Sequence, residues 1–406
     1  MFLVGGTCIG GGMLALPVAT GISGLLPSIL VMAICWMAMT ASALFLLEVN
    51  LWMRKEGAHI ITMTSTILGP VGKIISWCLF LFISYASIVA YTSAGGLLIS
   101  NISNAFFGME LSQAWNCAIF ILTFGGVIYL GTQTVGRVNT ILFIAMIAAY
   151  VGLVATGLFE VKSELFVHKK WITSIFAVPL LLTSFSFQTM LPSLTPYLNR
   201  NVTALRWAII GGTGIAFLVY LLWLWMVLGI VPVDGPNSLI EALEAGEPIT
   251  QFLREHVKSD WVSYLAEYFA FFALVTSFLG MALGLFDFLS DGLKIKKTGI
   301  GHVILGLLIV VPTYIFAVYF DRVFLVALDT SGGFGDSILN GMIPVLMVWI
   351  GRYYLRFPEE NRTPGGKPLL IIVFLFFVGA FILELLVQTG SVCSIFDYCK
   401  DFHKGI

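Results

Sequence analysis

Long apolar runs separated by short polar stretches dominate the chain. Each run is close to the roughly 20 residues that a helix needs to cross a hydrocarbon core of about 30 Å. Eleven spans are predicted, at 2–21, 25–50, 74–100, 114–130, 139–158, 171–197, 204–231, 261–290, 298–320, 323–351 and 368–390. Two of them are interrupted. Gly5, Gly6, Gly10, Gly11, Gly12 and Pro17 fall inside the first span, although glycine costs about 1 kcal/mol and proline about 3 kcal/mol in a helix interior. The sixth span carries Thr183-Ser184-Phe185-Ser186-Phe187-Gln188-Thr189-Met190-Leu191-Pro192-Ser193 where unbroken apolar sequence is expected. Backbone freed inside a bilayer must be satisfied by protein, water or ligand, so such breaks belong beside a buried cavity. Interrupted spans at matching places in two halves of a chain point to the substrate site of a secondary transporter.

Breaks in spans one and six predict an all-α integral membrane protein, built as a 5+5 inverted repeat plus one extra helix. An odd number of helices in each half turns the second half upside down, so the broken spans face each other near the bilayer midplane. The repeats are placed at about 1–158 and 171–351 and the added helix at 368–390, in one transmembrane domain covering 1–406. Loop 53–73 and the acidic loop 232–260 are each expected to hold short helices, the latter over an outer vestibule.

Composition agrees with this reading. The chain is 59% hydrophobic and 11% charged, with a mean hydropathy of +0.98, against roughly 25% charged residues in a soluble domain. With the N-terminus cytoplasmic, 13 of the 21 lysines and arginines fall on the inner side and 8 on the outer, which orients the chain N-in and C-out. Met1 leads straight into apolar residues, so no signal peptide is expected, and the first helix is expected to be incomplete at its start. The net charge of −1 and the lack of a basic tract argue against a nucleic-acid partner. Cys8, Cys35, Cys78 and Cys117 read as small apolar residues within spans. Cys393 and Cys399, on the outer side, allow either a small disulfide loop or two free thiols. The scattered histidines pair with no cysteine at metal-ligand spacing, and no cofactor or obligate protein partner is called for. A membrane-embedded enzyme is disfavoured because no G-x-S-x-G, H-E-x-x-H or P-loop occurs. A channel is the remaining alternative class, separable by saturable, gradient-driven accumulation.

Three segments carry a specific likeness. Gly6-Thr7-Cys8-Ile9-Gly10-Gly11-Gly12-Met13-Leu14-Ala15-Leu16-Pro17, Leu46-Leu47-Glu48-Val49-Asn50 and the span-eight stretch Ala273–Asp287 resemble the hydroxy/aromatic amino acid permeases, the last of them the tyrosine permease branch. The likeness runs through all eleven spans. It implies a leucine-transporter-like fold within the amino acid–polyamine–organocation superfamily. The implied function is import of aromatic amino acids across the inner membrane by cation symport, with tyrosine favoured and H+ or Na+ as coupling ion. The proton is the family expectation; a sodium-coupled carrier of tryptophan or another neutral amino acid is the alternative.

A broken helix suits a zwitterion, since one half offers free N–H groups at its positive end and the other offers free carbonyls. The N–H groups of Gly10, Gly11 and Gly12 are assigned to the carboxylate, with Thr7 or Cys8 adding a side-chain contact. Carbonyls around Thr183, Ser184 and Phe185 are assigned to the ammonium. Phe185, Phe187 and a span-three tyrosine would line a ring pocket. Tyr85 and Tyr91 lie six residues apart on different faces, and Tyr85 is the one assigned. Gln188 stands where related permeases carry histidine and offers a neutral amide to a phenol. Close helix packing by small residues and ordinary aromatic packing are the plainer explanations for these positions.

For coupling, Thr276 and Ser277 would join span-one carbonyls in an oxygen cage for a hard cation; helix-to-helix hydrogen bonding is the plainer role. Met146 stands where proton-coupled relatives carry a lysine, which leaves room for sodium. Intramembrane carboxylates are costly and functional by default. Glu267, expected deep in its span with Glu384, is the assigned proton candidate. Glu48 and Asp287 are expected to pair with Arg54 or Lys294 at the cytoplasmic side. Asp329 and Asp336 bracket a polar break at Thr330–Gly335, expected to line the outer vestibule.

Overall fold

Runs that are apolar on every face form helices whose backbone bonds close internally, which hydrocarbon requires. A computed structural model describes residues 1–53, 58–130, 132–257, 260–320 and 322–392. The first span is two helices, α1 (Phe2–Cys8) and α2 (Gly11–Gly21). Then come α3 (Leu25–Trp52), the short α4 (Ile60–Ile67), α5 (Gly69–Phe107), α6 (Gln113–Tyr129) and α7 (Thr132–Gly157). The sixth span is again two pieces, α8 (Val178–Ser184) and α9 (Leu191–Tyr197). After α10 (Val202–Ile230), the long loop holds α11 (Leu239–Ala245) and α12 (Ile249–His256). The chain continues with α13 (Asp260–Leu293), α14 (Ile300–Tyr319), α15 (Val323–Thr330), α16 (Ile343–Tyr353) and α17 (Gly366–Gln388).

Among the described residues, nine segments are long and apolar enough to cross a bilayer, and α2 and α6 are shorter apolar helices. With α1 and α2 taken as one crossing, the predicted eleven are present. Cys393, Cys399, Arg54 and Lys55 lie outside the described residues. Both halves of the first span, α1 and α2, pack on α10, while α2 also meets α8 and α13. The two broken spans are therefore central, and α2 is buried along its whole length.

Span ten departs from expectation. It is not broken: α15 runs through a π-helical segment, Ser331–Met342, into α16. The glycines that suggested a break serve close packing instead. A Cβ on Gly332 would meet the Pro179 carbonyl, on Gly333 the Glu384 side chain, on Gly335 Ile83 and on Gly341 the Phe377 ring. Asp336 is fully buried there rather than lining a vestibule.

The ion pairs also differ from expectation. Glu48 pairs with Arg352 of α16, far along the chain, and not with Arg54. The fork is bidentate, Arg352 Nε to Oε1 at 2.7 Å and NH2 to Oε2 at 2.6 Å, and the Thr363 N–H donates to Oε2 at 2.7 Å. Arg352 and Glu48 side chains are 3% and 1% exposed, so the bond clamps α3 to α16 and to the segment entering α17. Asp287 pairs with Lys297 at 2.9 Å, not with Lys294, and both side chains are largely open to solvent, where such pairs contribute little.

Removing one partner of a buried pair strands the other charge, at a cost of about 3–5 kcal/mol. Glu48→Gln should therefore lower the thermal unfolding midpoint of the detergent-solubilised protein sharply. The double change Glu48→Met with Arg352→Met should lose clearly less. Equal losses in the single and double variants would show that the clamp is not what holds α3 to α16.

Candidate functional site

Each break strands polar backbone groups, and named side chains take them up. α1 ends at Cys8, Ile9 is extended, and α2 starts after Gly10. The Gly11 N–H donates to Ser277 Oγ of α13 at 2.9 Å. Pro17 inside α2 has no N–H, so the Met13 carbonyl four residues earlier loses its helical donor. Trp223 Nε1 of α10 replaces it at 3.0 Å. At the second break α8 ends at Ser184, and a 3-10 turn, Gln188–Met190, precedes α9. The Phe187 N–H donates to Gln188 Oε1 at 2.9 Å.

One hydroxyl joins the two breaks. Tyr220 of α10 lies 2.5 Å from the Cys8 carbonyl and 2.8 Å from the Ser184 carbonyl, the last residues of α1 and α8. A single O–H proton shared between two carbonyls holds both helix ends at one point. Ser184 Oγ also reaches the Gly12 carbonyl at 3.4 Å. The glycines of the first break are in tight contact with these neighbours. A Cβ on Gly10 would run into Ser277 Oγ, on Gly11 into the Tyr91 ring, and on Gly12 against Ser184.

The structure brings Gly10, Gly11, Gly12, Cys8, Ser184, Phe185 and Ser277 together. Phe185 is fully buried with its ring 5.1 Å from that of Tyr220, and Phe187 is buried as well. Thr7 is exposed and donates to Met190 Sδ beside α9. Four positions lie differently from expectation. Tyr85 points away from the breaks and donates to the Leu308 carbonyl of α14 at 2.8 Å, whereas Tyr91 lies against Gly11. Six residues of helix rotate a side chain by about 120°, so only one of the two can face the first break. Gln188 spends its amide on protein, its Nε2 reaching the Met39 carbonyl of α3 at 3.3 Å. Thr276 turns back on its own helix, donating to Phe272 O at 2.8 Å.

Glu267 is not deep in its span. It is partly exposed and paired with Arg254 at 3.2 Å. It lines a polar cleft of about 330 Å³ with Asn101, Asn104, Gln251, Arg254 and Glu255. Ten residues of helix, about 15 Å, separate it from Ser277.

A profile of the tryptophan/tyrosine permease family matches residues 1–384. The chain belongs to the tryptophan/tyrosine permease family. The permease is 31% identical over 380 residues to the tyrosine-specific transport system 1 of Haemophilus influenzae, covering 91% of this chain and 92% of that protein. It is 29% identical over 403 residues to a tryptophan-specific transport protein of the same organism, covering 96% and 94%. Its backbone is similar to the crystal structure of MhsT in complex with L-phenylalanine, with a TM-score of 0.66 and 13% identity over 94% of this chain and 96% of that one. A manganese transporter of Eremococcus coleocola gives a TM-score of 0.63 at 13% identity, covering 95% and 84%. The fold is thus leucine-transporter-like, and the permease is a multi-pass membrane protein rather than an enzyme.

Sequence reasoning did not single out Tyr220 or Trp223, because nothing local distinguishes them from other aromatics in an apolar helix. The signal for Trp223 is indirect: a proline at 17 implies an orphan carbonyl at 13, and so a donor from elsewhere. Tyr91→Phe should lower the initial rate of aromatic amino acid uptake by the permease by about tenfold, the scale of one lost buried hydrogen bond. Tyr85→Phe should change it less than about twofold. Uptake in cells at matched membrane abundance measures both, and the reverse order would place the wrong tyrosine at the break.

Proposed function

We propose that this permease is a secondary active transporter that imports aromatic amino acids across the inner membrane, tyrosine favoured, by proton symport. The observation that carries this reading is the meeting of two helix breaks whose end carbonyls, Cys8 and Ser184, converge on the Tyr220 hydroxyl. In this reading the N–H groups of Gly10, Gly11 and Gly12 receive the substrate carboxylate. The carbonyls around Thr183, Ser184 and Phe185 receive the ammonium, and Phe185 and Phe187 face the ring. Thr7 and Cys8 border the same space, and the inverted repeats at about 1–158 and 171–351 rock around it. Tyrosine is favoured because the span-eight stretch Ala273–Asp287 resembles the tyrosine permease branch, and because the relative at 31% identity is named tyrosine-specific. Other relatives are named for tryptophan, so tryptophan is the competing substrate.

Two observations support protons over sodium. The hydroxyls assigned to a cation cage are otherwise engaged, Ser277 by the Gly11 N–H and Thr276 by its own helix. A proton needs no oxygen cage, only one buried acid. Met146, buried on α7, is the observation on the side of sodium, since it supplies no fixed positive charge to fill that niche.

Phe185→Ala or Phe187→Ala should raise the apparent KM for tyrosine by about 10-fold to 100-fold, matching the 1–3 kcal/mol of ring burial lost, and should affect a small neutral amino acid far less. Equal losses for both substrates would reduce these rings to bundle packing. Uptake of labelled tyrosine into proteoliposomes, with proton and sodium gradients imposed separately, tests the coupling. Accumulation is expected with the proton gradient alone. Accumulation that follows sodium at fixed pH would overturn the proton assignment.

A further inference from the structure

Asp336 is the polar group most deeply enclosed beside the second break. It lies in the π-helical segment of span ten with none of its surface exposed. Its Oδ1 accepts from Ser186 Oγ at 2.6 Å and from Asn340 Nδ2 at 2.6 Å. Ser186 sits in the break itself, between Phe185 and Phe187, and Asn340 Nδ2 also donates to it at 3.0 Å. The second oxygen of Asp336, Oδ2, is buried and has no hydrogen-bond partner among the described residues. Tyr91, the ring against Gly11, is within electrostatic reach of Asp336 and hydrogen-bonds Ser277. A polar chain therefore runs from the first break through Ser277 and Tyr91 to Asp336, and on through Ser186 to the second break.

Every element packed on the π-helical segment bears on this site. On α5, Tyr91 faces Asp336, and Tyr85 turns to α14. On α17, Glu384 lies against Gly333 and takes a hydrogen bond from Gln388 at 2.9 Å. On α15, Asp329 is a neighbour of Glu384. The acid and base of α3 and α16, Glu48 and Arg352, neutralise each other at the clamp. α8 carries no titratable side chain. The groups that reach Asp336 are thus neutral donors, a phenol and other acids. A buried carboxylate surrounded in this way calls for a positive charge, and a proton is the one that needs no added space.

We propose that Asp336 is the intramembrane acid that binds and releases the coupled proton, which rests on the proton-symport reading above. An O–H bond forms at Oδ2 when the proton enters from the outer side and breaks when the proton leaves to inner water, with no change in oxidation state. The anionic form holds Ser186 through a charge-assisted bond, roughly twice as strong as a neutral one. Protonation weakens that bond and loosens the segment on which Phe185 and Phe187 sit. Departures from regular α-helix of the π type recur at functional places for this reason, since they re-aim one side chain within a continuous helix.

The test uses the full chain in proteoliposomes with labelled tyrosine, measuring accumulation driven by an inward proton gradient and exchange at equal pH. Asp336→Asn should lose gradient-driven accumulation at least tenfold while exchange continues, because exchange does not cycle a proton. Asp336→Glu should recover part of the accumulation. If Asp336→Asn accumulates within twofold of the native protein, the proton binds elsewhere and this proposal falls while proton symport stands. Loss of accumulation and exchange together in a folded Asp336→Asn protein would also overturn it. A native protein indifferent to the proton gradient would overturn the proposal together with the symport reading. Ser186→Ala provides a second measure that does not remove the acid. Without that donor the anion is less favoured, so half-maximal uptake should move to higher pH; an unmoved profile would count against the assignment.

Discussion

Hydrocarbon supplies no hydrogen-bond partners, so every backbone group freed by a helix break has to find one inside the protein. The central arrangement follows from that constraint. Pro17 removes the donor for the Met13 carbonyl, and Trp223 supplies one from another helix. α1 and α8 end within the bundle, and the Tyr220 hydroxyl joins their last carbonyls. The Gly11 N–H is taken by Ser277. These three donors and acceptors sit on α10 and α13, continuous helices of 29 and 34 residues. The interrupted spans are therefore held by uninterrupted ones. This division lets the breaks exchange protein partners for a substrate's carboxylate and ammonium without loss of the surrounding bundle.

Charge is distributed by the same logic. A full ion pair is buried where α3, α16 and the segment before α17 must stay together, and there each charge has its counterion and extra hydrogen bonds. Near the breaks the acids are held by neutral partners instead, Asp336 by Ser186 and Asn340, and Glu384 by Gln388. A paired charge makes a permanent joint, because separating it is costly. An acid held by hydroxyls and amides retains two accessible protonation states. The clamp and the movable centre thus use the same residue types with different neighbours.

Period and composition made much of the architecture legible in the sequence. Eleven apolar runs marked the crossings to within a few residues, and glycine and proline marked the two broken ones, because intrinsic helix cost is a local property of residue type. The helices in loop 232–260 were legible for the same reason, with Ser238 capping α11 through the Glu241 N–H. The polar run in span ten misled, since local cost cannot tell a break from a π-helical segment whose glycines admit Pro179, Glu384 and Phe377.

The sequence by itself thus determined the class of fold, the number of crossings and which two spans are interrupted. Only the tertiary structure decided who meets whom. That Glu48 finds Arg352 rather than Arg54, that Tyr91 and not Tyr85 lies against Gly11, and that Glu267 sits at a polar cleft are facts of helix rotation and packing. Neighbours hundreds of residues apart in the chain settle them. In an all-apolar helix the hydrophobic pattern has no preferred face, so it cannot specify rotation about the helix axis. Close contact at glycines and satisfaction of orphaned backbone groups set that rotation, and both exist only once the helices are assembled.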